Sequence, residues 1–553
     1  MADLILGPLL RYVDAKEATL WVETDAPCEV QALGHRARTF AVEGHHYALV
    51  CIADLEPATR YEYTVELDGR KVWPGPNAPF AAGLIRSFDE RRSFRLAFGS
   101  CRVAMPLAPP YTLTDAETVL GYEIDALYAL SRRLQSLPDE DWPHALLLLG
   151  DQVYADEVAP TLLEFMRARR SLDKPPGKEI ADFEEYTRLY RESWTQPDIR
   201  WLLANLPSAM IFDDHDVNDD WNISAAWARD MQAEPWWRAR IVGAFMSYWL
   251  YQHLGNLSPR ELAQDDLYQA VHKANDAGPL LREFAESLYE GKRVYRWSFY
   301  RDFGKSRLVV MDSRAGRVLE PERRAMVSPE EWDWIRSHAE GEFDHLLLGT
   351  SVPLLMGQGI HYLEAWNEAL CRGAWGKWAA QKSERIRRAI DLDHWPAFQC
   401  SFRDMVAWLQ KLARGARAPA SIIFLSGDVH HTYLVEARLA GEAAHSRLYQ
   451  AVCSPYRNPL DKTMRRAMRS CWSRPLSAFV KGLALLAGVK PPGIAWRRTH
   501  EKLWFDNVIS ELAFTRTHCR LKIEKCPPGD AQRPQLEEVY ACDLVEKPDD
   551  PRT

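Results

Sequence analysis

The sequence predicts an α/β protein whose strands form layers covered by helices on both faces, preceded by an all-β sandwich domain. Three observations support this prediction. From residue 92 onward, apolar runs of buried-strand length alternate with long amphipathic segments. Residues 1–90 instead alternate apolar with polar positions over short stretches bounded by turn residues. Several of the later apolar runs end in side chains that bind metals or phosphate.

The predicted amino-terminal domain spans residues 1–90 and resembles a fibronectin-like β-sandwich. Alternation at 18–23, 28–32 and 60–66 predicts strands, and Asp68-Gly69 is a hairpin turn signal. The Pro- and Gly-rich stretch 73–79 is interpreted as a linker. No chemistry-bearing motif occurs here, so we interpret this domain as a structural or substrate-shaping module.

The predicted catalytic domain spans residues 91–553. Its buried strands are expected at 93–99, 144–149, 208–212, 307–311, 345–348 and 421–425. Helical segments separate them, for example at 122–135 and 182–203. Strands at 507–515, 518–525 and 537–544 are expected to close the catalytic sheet and not to form a third domain.

Composition excludes some partners and leaves others open. The 553-residue chain is 47% hydrophobic, enough for a sizeable core, and its formal charge of −8 argues against a general nucleic-acid binder. No leader motif or bilayer-length apolar run is apparent, and the ten cysteines have no framework spacing. We therefore expect a cytoplasmic protein with reduced thiols. Its oligomeric state stays open.

Polar side chains follow five of the predicted strands. The segments are 98–102, 149–156, 211–216, 347–351 and 425–431. The carboxyl ends of parallel strands meet at one edge of a sheet, so these side chains are expected to converge. Carboxylates, imidazoles, a phenol and a thiol gathered in this way are what a dinuclear metal hydrolase needs.

Two of the segments carry carboxylates directly after a strand. Asp151 follows Gly150, which lets the chain turn, and Asp151 is placed to bridge two cations. The phenol of Tyr154 favours a hard, oxidised ion such as ferric iron. An Asp capping the next helix beside a core Tyr explains the same residues equally well. The run 213–216 is costly to bury without a metal, although a solvated acidic loop is the alternative. Within it, His215 is a candidate proton donor to a leaving group.

The remaining candidates are Asp428, His430, Cys101 and Arg102. Asp428 and His430 stand two apart and are expected to face one way in an extended segment, while His431 is read as a core or supporting histidine. Cys101 is a candidate thiolate ligand, against the alternative of an inert buried thiol. Arg102 is a candidate phosphate-binding fork, against that of a surface arginine.

These motifs, taken together, resemble those of the PhoD-like alkaline phosphatases, a branch of the calcineurin-like metallophosphoesterase superfamily. The matching segments are 99–102, 150–156, 210–216, 310–314 and 426–430, in the family's order, with continuous blocks at 190–221 and 394–397. The β-rich amino-terminal domain also fits. The resemblance covers about residues 5–460 and resumes near 503.

The resemblance implies a layered αββα fold and a dinuclear or trinuclear metal site. Fe3+ and Ca2+ are the expected metals, with Zn2+, Mn2+ and Mg2+ as alternatives. By motif position the implied ligands are Cys101, Asp151, Tyr154, Asp214, Asp428 and His430. His215 is the implied catalytic histidine.

Residues 461–500 form an apparent insertion. They carry nine Lys or Arg against one acid, a net +8 that leaves −16 on the rest of the chain. An apolar stretch at 476–489 is too short to span a bilayer. We interpret it first as a packed helix with a solvated basic face, then as a lid, and last as a peripheral membrane contact.

Two functions from different classes follow. The first is metal-dependent hydrolysis of a small-molecule phosphate ester, monoester or diester, by a metal-activated hydroxide. The second is a non-catalytic protein on the same fold that binds phosphoesters or lipid headgroups. The apparently intact ligand set favours the enzyme.

Overall fold

The computed structural model describes residues 1–76, 82–89 and 93–545. The predicted domain boundary at 90/91 and the last part of the predicted linker lie outside these residues. The division into two domains stays a prediction.

The amino-terminal part is all-β in the described residues, as expected. Its strands are β1 (Leu4–Val13), β2 (Ala18–Thr24), β3 (Glu29–Ala32), β4 (His35–Arg38), β5 (Phe40–Val42), β6 (His45–Ile52), β7 (Arg60–Tyr63), β8 (Val65–Leu67), β9 (Arg70–Trp73) and β10 (Gly83–Arg86). They form sheets β1-β2-β6-β5 and β4-β3-β8-β9 and the pair β10-β7. The predicted turn joins β8 to β9, where Asp68 and Gly69 both have positive φ.

The rest of the described chain alternates strands and helices. The strands are β11 (Phe94–Gly99), β12 (Ala145–Leu149), β13 (Ser208–Ile211), β14 (Phe299–Phe303), β15 (Ser306–Met311), β16 (His345–Thr350), β17 (Ser421–Ser426), β18 (Tyr433–Leu439), β19 (Arg447–Val452), β20 (Ile494–Arg498), β21 (Asn507–Phe514), β22 (Cys519–Cys526) and β23 (Glu537–Val545). All six predicted buried strands are confirmed to within two residues.

The helices run along the outside of these strands. They are α1 (Ala126–Leu134), α2 (Pro160–Arg169), α3 (Phe183–Trp194), α4 (Pro197–Asn205), α5 (Ala225–Ala233), α6 (Trp237–Ser247), α7 (Pro259–Gln264), α8 (Asp266–Lys273), α9 (Gly278–Tyr289), α10 (Pro329–Ala339), α11 (Gln358–Cys371), α12 (Gly376–Ala389), α13 (Gln399–Arg414), α14 (Lys462–Ser470) and α15 (Arg474–Leu486). The helix expected over 182–203 is two helices, because Pro197 has no N–H to continue α3 and instead begins α4.

Two sheets pack face to face between the helices. One has the order β13-β12-β11-β21-β22-β23 and the other β14-β15-β16-β17-β19-β18-β20. Leu149 of the first sheet approaches Gly349 of the second, and Leu347 and Ile423 join the core that the first sheet buries. Ile335 of α10 and Leu409 of α13 cover the outer face of the second sheet. The layered αββα prediction is confirmed.

The three late strands belong to the first sheet, as predicted. β21 pairs antiparallel with β11, and β22 and β23 follow it outward. The strands that lead to the candidate site, by contrast, run parallel: β11 with β12, β12 with β13, and β15, β16 and β17 in series. Their carboxyl ends therefore meet along one edge of the two-sheet core.

Arg11 connects the amino-terminal sheet to the catalytic layers. Its buried guanidinium donates to the carbonyls of Ser208 (3.0 Å), Tyr251 (2.7 Å) and Gln252 (2.7 Å). Tyr251 and Gln252 belong to a π-helical turn, Tyr248–His253, that continues α6. Since Gln252 also bonds Asp216, the first strand of the chain is connected to the site through one irregular turn.

The basic segment contains the helix pair α14 and α15. α15 buries Ser477, Val480 and Ala484 and packs on α11, whereas α14 buries no residue. The apolar stretch thus forms a packed helix, as expected. Its outward side carries exposed Phe479 and Leu486 in addition to the exposed Arg474 and Lys481, so it is only partly basic. Among the described residues, no helix combines the length and apolarity that crossing a bilayer requires.

Candidate active site

The candidate site lies where strands of both sheets end. Cys101 follows β11, Asp151 follows β12, and Asp428 and His430 follow β17. These four residues have φ of 59°, 53°, 67° and 47°. Left-handed backbone is uncommon for residues with a Cβ and concentrates at functional sites. The chain therefore turns sharply after each of these strands, and the four side chains lie in one site.

Glycine permits the close approach of these turns. A Cβ on Gly427 would lie 2.0 Å from Ser100 Oγ, and one on Gly150 would lie 2.7 Å from Asp213 Cβ. Gly150 also has a φ of 101°. Any larger residue at either position would separate the strand ends that form the site.

One group of donor atoms combines a thiol, a carboxylate and an imidazole. Ligand atoms of Cys101, Asp151 and His430 lie within 4.8 Å of one another. Cys101 Sγ is 3.3 Å from Asp151 Oδ2, and Tyr154 Oη is 3.4 Å from the same oxygen. Asn458 donates to that phenol oxygen at 3.2 Å. The structure thus brings four predicted ligands together around one point.

A second group consists of carboxylates. Ligand oxygens of Asp151, Asp213, Asp214 and Asp428 also lie within 4.8 Å of one another. Asp151 belongs to both groups and stands between them. In the described part of the chain, Asp151 Oδ1 and Asp213 Oδ2 are buried with no hydrogen-bond partner. Burying such oxygens without compensation is costly, so the geometry calls for positive charge at this point.

Burial and mutual repulsion disfavour the ionised forms of the acidic groups in the site. Burial raises the pKa of Asp151 well above its usual range; His215 opposes this shift, while Asp213 adds to it. Burial likewise raises the pKa of Asp213, although Arg314 acts in the opposite direction. Burial and neighbouring carboxylates together raise the pKa of the Cys101 thiol. Bound cations would relieve this repulsion and favour the ionised forms.

His215 is oriented by a carboxylate and an aromatic ring. Its Nδ1 donates to Asp156 Oδ2 at 2.8 Å, and its ring stacks on Tyr154 with centroids 4.5 Å apart. Burial acts to lower the pKa of His215, but Asp156 and Asp214 outweigh it and raise that pKa. Nε2 is left facing Asp219 Oδ1 at 3.8 Å. The imidazole is therefore fixed in one orientation beside the carboxylate group.

A cavity of about 190 Å³ opens on this arrangement. Its polar lining includes the carboxylates of Asp214 and Asp428 and the imidazoles of His215 and His430. The cavity also has apolar lining residues, among them Met356, Ile360, Ile390, Leu460, Met464 and Met468. A larger cavity of about 440 Å³ lies elsewhere, beside α5, α11 and α12, where Arg387 is paired with Glu368. No residue of the site lines it.

Comparisons with known proteins agree with this architecture. A family model described as PhoD-like phosphatase matches residues 132–453. The chain belongs to the PhoD-like phosphatase family. A model described as a domain of unknown function, DUF7800, matches residues 1–85. A solved structure titled "Structure of PhoD" is similar at a TM-score of 0.59 and 12% identity, over 97% of this chain and 92% of that chain.

At that identity the PhoD structure shows the fold alone. The comparison with curated proteins found no match. Membership of the PhoD-like phosphatase family supports a phosphoesterase role and implies a small-molecule phosphate ester as substrate. The acidic groups at the strand ends fit a multi-metal site in such a protein.

Two sequence-based expectations about PhoD-like motif residues need correction. Arg102 does not point into the cavity: its guanidinium pairs with Asp125 at 2.7 Å and bonds Ser193 and Gln196. These buried partners occupy the donors that a phosphate fork would need. The second concerns Asp428 and His430, which are not in an extended segment. Both have positive φ, and Asp428 joins the carboxylate group while His430 joins the Cys101 group.

Asp216 has a different role from its acidic neighbours. Its carboxylate accepts the backbone N–H groups of Asp151 and Asp213, both at 2.9 Å, and the amide of Gln252 at 2.9 Å. It therefore holds two strand ends together and is not available as a ligand. His431, expected to be a core residue, is buried and stacks on Phe505.

The sequence analysis assigned no role to two charged residues of the site, Arg314 and His394. Arg314 follows β15 and contacts Asp213 and Asp393, with Asp214 Oδ1 at 3.3 Å. His394 joins Asp428 Oδ2 (2.8 Å) to Glu364 (2.6 Å). Burial lowers the pKa of His394, yet Glu364 and Asp428 outweigh it and raise that pKa. Both residues lie in PhoD-like motifs, and the position of Arg314 directly after a buried strand was the available signal.

The donor set fits more than one kind of cation. The sulfur, phenol and imidazole around Asp151 match a transition-metal ion, whereas an all-carboxylate group matches a hard divalent cation. Asp151, which the two groups share, and Asp213 of the carboxylate group each have a buried oxygen with no hydrogen-bond partner among the described residues. The residues therefore fit the multi-metal site that the PhoD-like family implies.

Proposed function

We propose that this protein hydrolyses phosphate esters at a site of two or three cations. The observation that carries the proposal is the position of Asp151, which belongs to both donor groups and has a buried oxygen without a partner. A carboxylate between two donor groups is suited to bridge two cations. Bound cations would supply positive charge to the phosphoryl oxygens and acidify a water molecule for attack on phosphorus.

We assign the cations by donor chemistry. Cys101, Asp151, Tyr154 and His430 would hold Fe3+, and Asp151, Asp214 and Asp428 would hold Ca2+ or another hard cation. Asp213 is engaged by Arg314, which balances part of the negative charge. Zn2+, Mn2+ and Mg2+ remain alternatives that the same donors accept.

The protein residues carry the proton chemistry in this proposal. His215 donates a proton to the leaving oxygen through Nε2, because Nδ1 is held by Asp156. His394 supports Asp428 through a hydrogen bond and is in turn supported by Glu364.

Hydrolysis in oxygen-18 water tests the reaction. A single turnover should place one heavy oxygen in the released phosphate, and no covalent phosphoenzyme should accumulate. A trapped phosphoenzyme would overturn direct attack by water. Tight binding of phosphate esters without turnover in the fully metal-loaded protein would instead favour the alternative, a non-catalytic phosphoester- or lipid-headgroup-binding protein.

Colour tests the iron assignment. Phenolate or thiolate bound to ferric iron absorbs visible light, which calcium and zinc complexes do not. Tyr154→Phe should shift or remove the band while keeping the ring that packs on His215. A colourless protein that is fully active with zinc or magnesium alone would refute the iron assignment and leave the phosphoesterase proposal intact.

A further inference from the structure

The helix pair formed by α14 and α15 presents an unusual outer surface. α14 buries none of its residues, and α15 is buried only along the side that faces α11. On its other side Phe479 is 66% exposed and Leu486 is 77% exposed. Leu485 beside them is 47% exposed. Large apolar side chains are thus directed into solvent on a helix that already has a packed inner face.

These exposed residues form a stripe. Positions 475, 479, 482 and 486 are separated by four, three and four residues, the spacing that places side chains on one helix face. The residues there are Pro475, Phe479, Gly482 and Leu486, none of them charged. The outer face of α15 is therefore continuously apolar over its length.

Exposed positive charge lies on both helices of the pair. Residues 461–500 carry a net +8 in a chain of net −8. Arg474 and Lys481 lie on α15, and Lys462 and Arg466 on α14, all of them exposed. In the part of the chain that the structure describes, the only ion pair of α14 joins Arg465 to Glu123 at 3.8 Å. Arg497 of the same segment is paired with Glu436 at 2.9 Å. The exposed cations of α14 and α15 are consequently accessible to an external anion.

We propose that α14 and α15 dock the protein on an anionic lipid surface. A short helix with an apolar face flanked by Lys and Arg is the pattern that lies in a membrane interface. The apolar stripe would enter the acyl boundary while the cations meet lipid phosphates of an anionic leaflet. A second copy of this chain is a poorer occupant, because two surfaces of the same strong positive charge repel.

The docked surface adjoins the candidate site. Met464 and Met468 of α14 line the cavity that also contains His215 and Asp428. Docking would therefore bring the mouth of the cavity to the lipid surface. One consequence rests on the proposed function: the protein would bind and hydrolyse its phosphate ester at, or close to, the lipid surface.

Vesicle flotation of the full-length, metal-loaded protein tests the docking. The probes are vesicles of phosphatidylcholine alone and vesicles with about a quarter phosphatidylglycerol. We expect the protein to float only with the anionic vesicles and to be released at about 0.5 M salt, where charges are screened. A protein that stays unbound with both vesicle types would overturn the proposal.

Paired variants identify the surface. Phe479→Ser combined with Leu486→Ser should lower the vesicle-bound to free ratio at least about tenfold, since two apolar side chains no longer enter the interface. Trp378→Ser is the matched control: Trp378 is 74% exposed but lies on α12, and its change should leave binding within about twofold. Equal loss in both variants, or loss in neither, would contradict the assignment.

Two further measurements separate the alternatives. The Phe479/Leu486 double variant should hydrolyse a small soluble phosphate ester as the unaltered protein does, because neither residue lines the cavity. Loss of vesicle binding is thereby distinguished from failure of the proposed function. If the unaltered protein elutes as a dimer that the double variant abolishes, and vesicles do not bind, the stripe is a contact between copies and the proposal is overturned.

Discussion

At the residue scale, the chemistry depends on how individual side chains are held. His215 is fixed by Asp156 and by the ring of Tyr154. The ligand atom of His215 lies within 4.8 Å of those of Asp214 and Asp219, but His215 does not belong to the group around Asp151 that would hold the first proposed cation. Cys101 and Asp151 are instead directed by left-handed turns at strand ends. A residue that donates protons and a residue that holds a cation should therefore respond differently to substitution.

The first prediction concerns His215. His215→Asn should lower kcat by about 10²–10⁴-fold, because the amide cannot donate a proton as an imidazolium does. Metal content, measured by elemental analysis, should stay unchanged. Asp156→Asn should also lower kcat, since its amide favours the wrong imidazole tautomer. Loss of bound metal in His215→Asn would mean that His215 is a ligand.

The second prediction concerns the apolar wall. Met468 is one of the apolar residues that line the cavity, so it should contact an apolar substituent on the ester. Met468→Ser should lower kcat/KM for a diester with a medium-length alkyl chain by about tenfold and leave a small ester within about twofold. Met231→Ser, in a half-buried methionine outside the cavity, is the control. An equal fall for both esters would assign Met468 to packing alone.

At the element scale, strand ends and helix contacts decide which motifs meet. Apolar runs bounded by Gly and carboxylates were sufficient to predict the six buried strands, because burial on both faces leaves a continuous hydrophobic signature. The direction of Arg102 could not be predicted in this way. It depends on Asp125 and Gln196, which approach from other segments of the fold.

His45 connects two elements that are distant in sequence. On β6, it contacts Glu23 of β2 at 3.0 Å and Glu184 of α3 at 2.8 Å. Burial acts to lower the pKa of His45, but the hydrogen bonds that the imidazole donates to Glu184 and Glu23 outweigh burial and raise the pKa from 6.5 to about 9. The raised folded-state pKa means that this contact stabilises the fold fully below pH 6.5. That stabilisation is lost as pH rises through about 9.

The third prediction follows from the raised pKa of His45. The unaltered protein should unfold about 2–4 °C above His45→Gln at pH 6, and within about 1 °C of it at pH 10. Glu184→Gln should also unfold below the unaltered protein at pH 6, but by less than His45→Gln does, because it removes only one of the two carboxylates that His45 contacts. Thermal unfolding of the three proteins measures it. A difference that is constant or grows toward pH 10 would contradict the ion pair.

At the scale of the whole molecule, both sheets supply donors to one site. Cys101 and Asp151 come from the first sheet, and Asp428 and His430 from the second. The sequence predicted these residues because each directly follows a strand. It assigned no role to Arg314 or His394, and it did not separate Asp216 from the other acids of the run 213–216, because the partners of a buried charge are set by the packing of distant segments.

The fourth prediction tests the central claim, that Asp151 joins two cation positions. Elemental analysis of the purified protein beside Asp151→Asn, together with phosphate ester hydrolysis, is the most direct measurement. The unaltered protein should hold about two or three metal ions per chain and lose activity when they are removed, recovering it when they are returned. Asp151→Asn should lose at least about one ion and about 10³-fold in kcat. Full activity of metal-free protein, or an unchanged metal content in Asp151→Asn, would contradict the account.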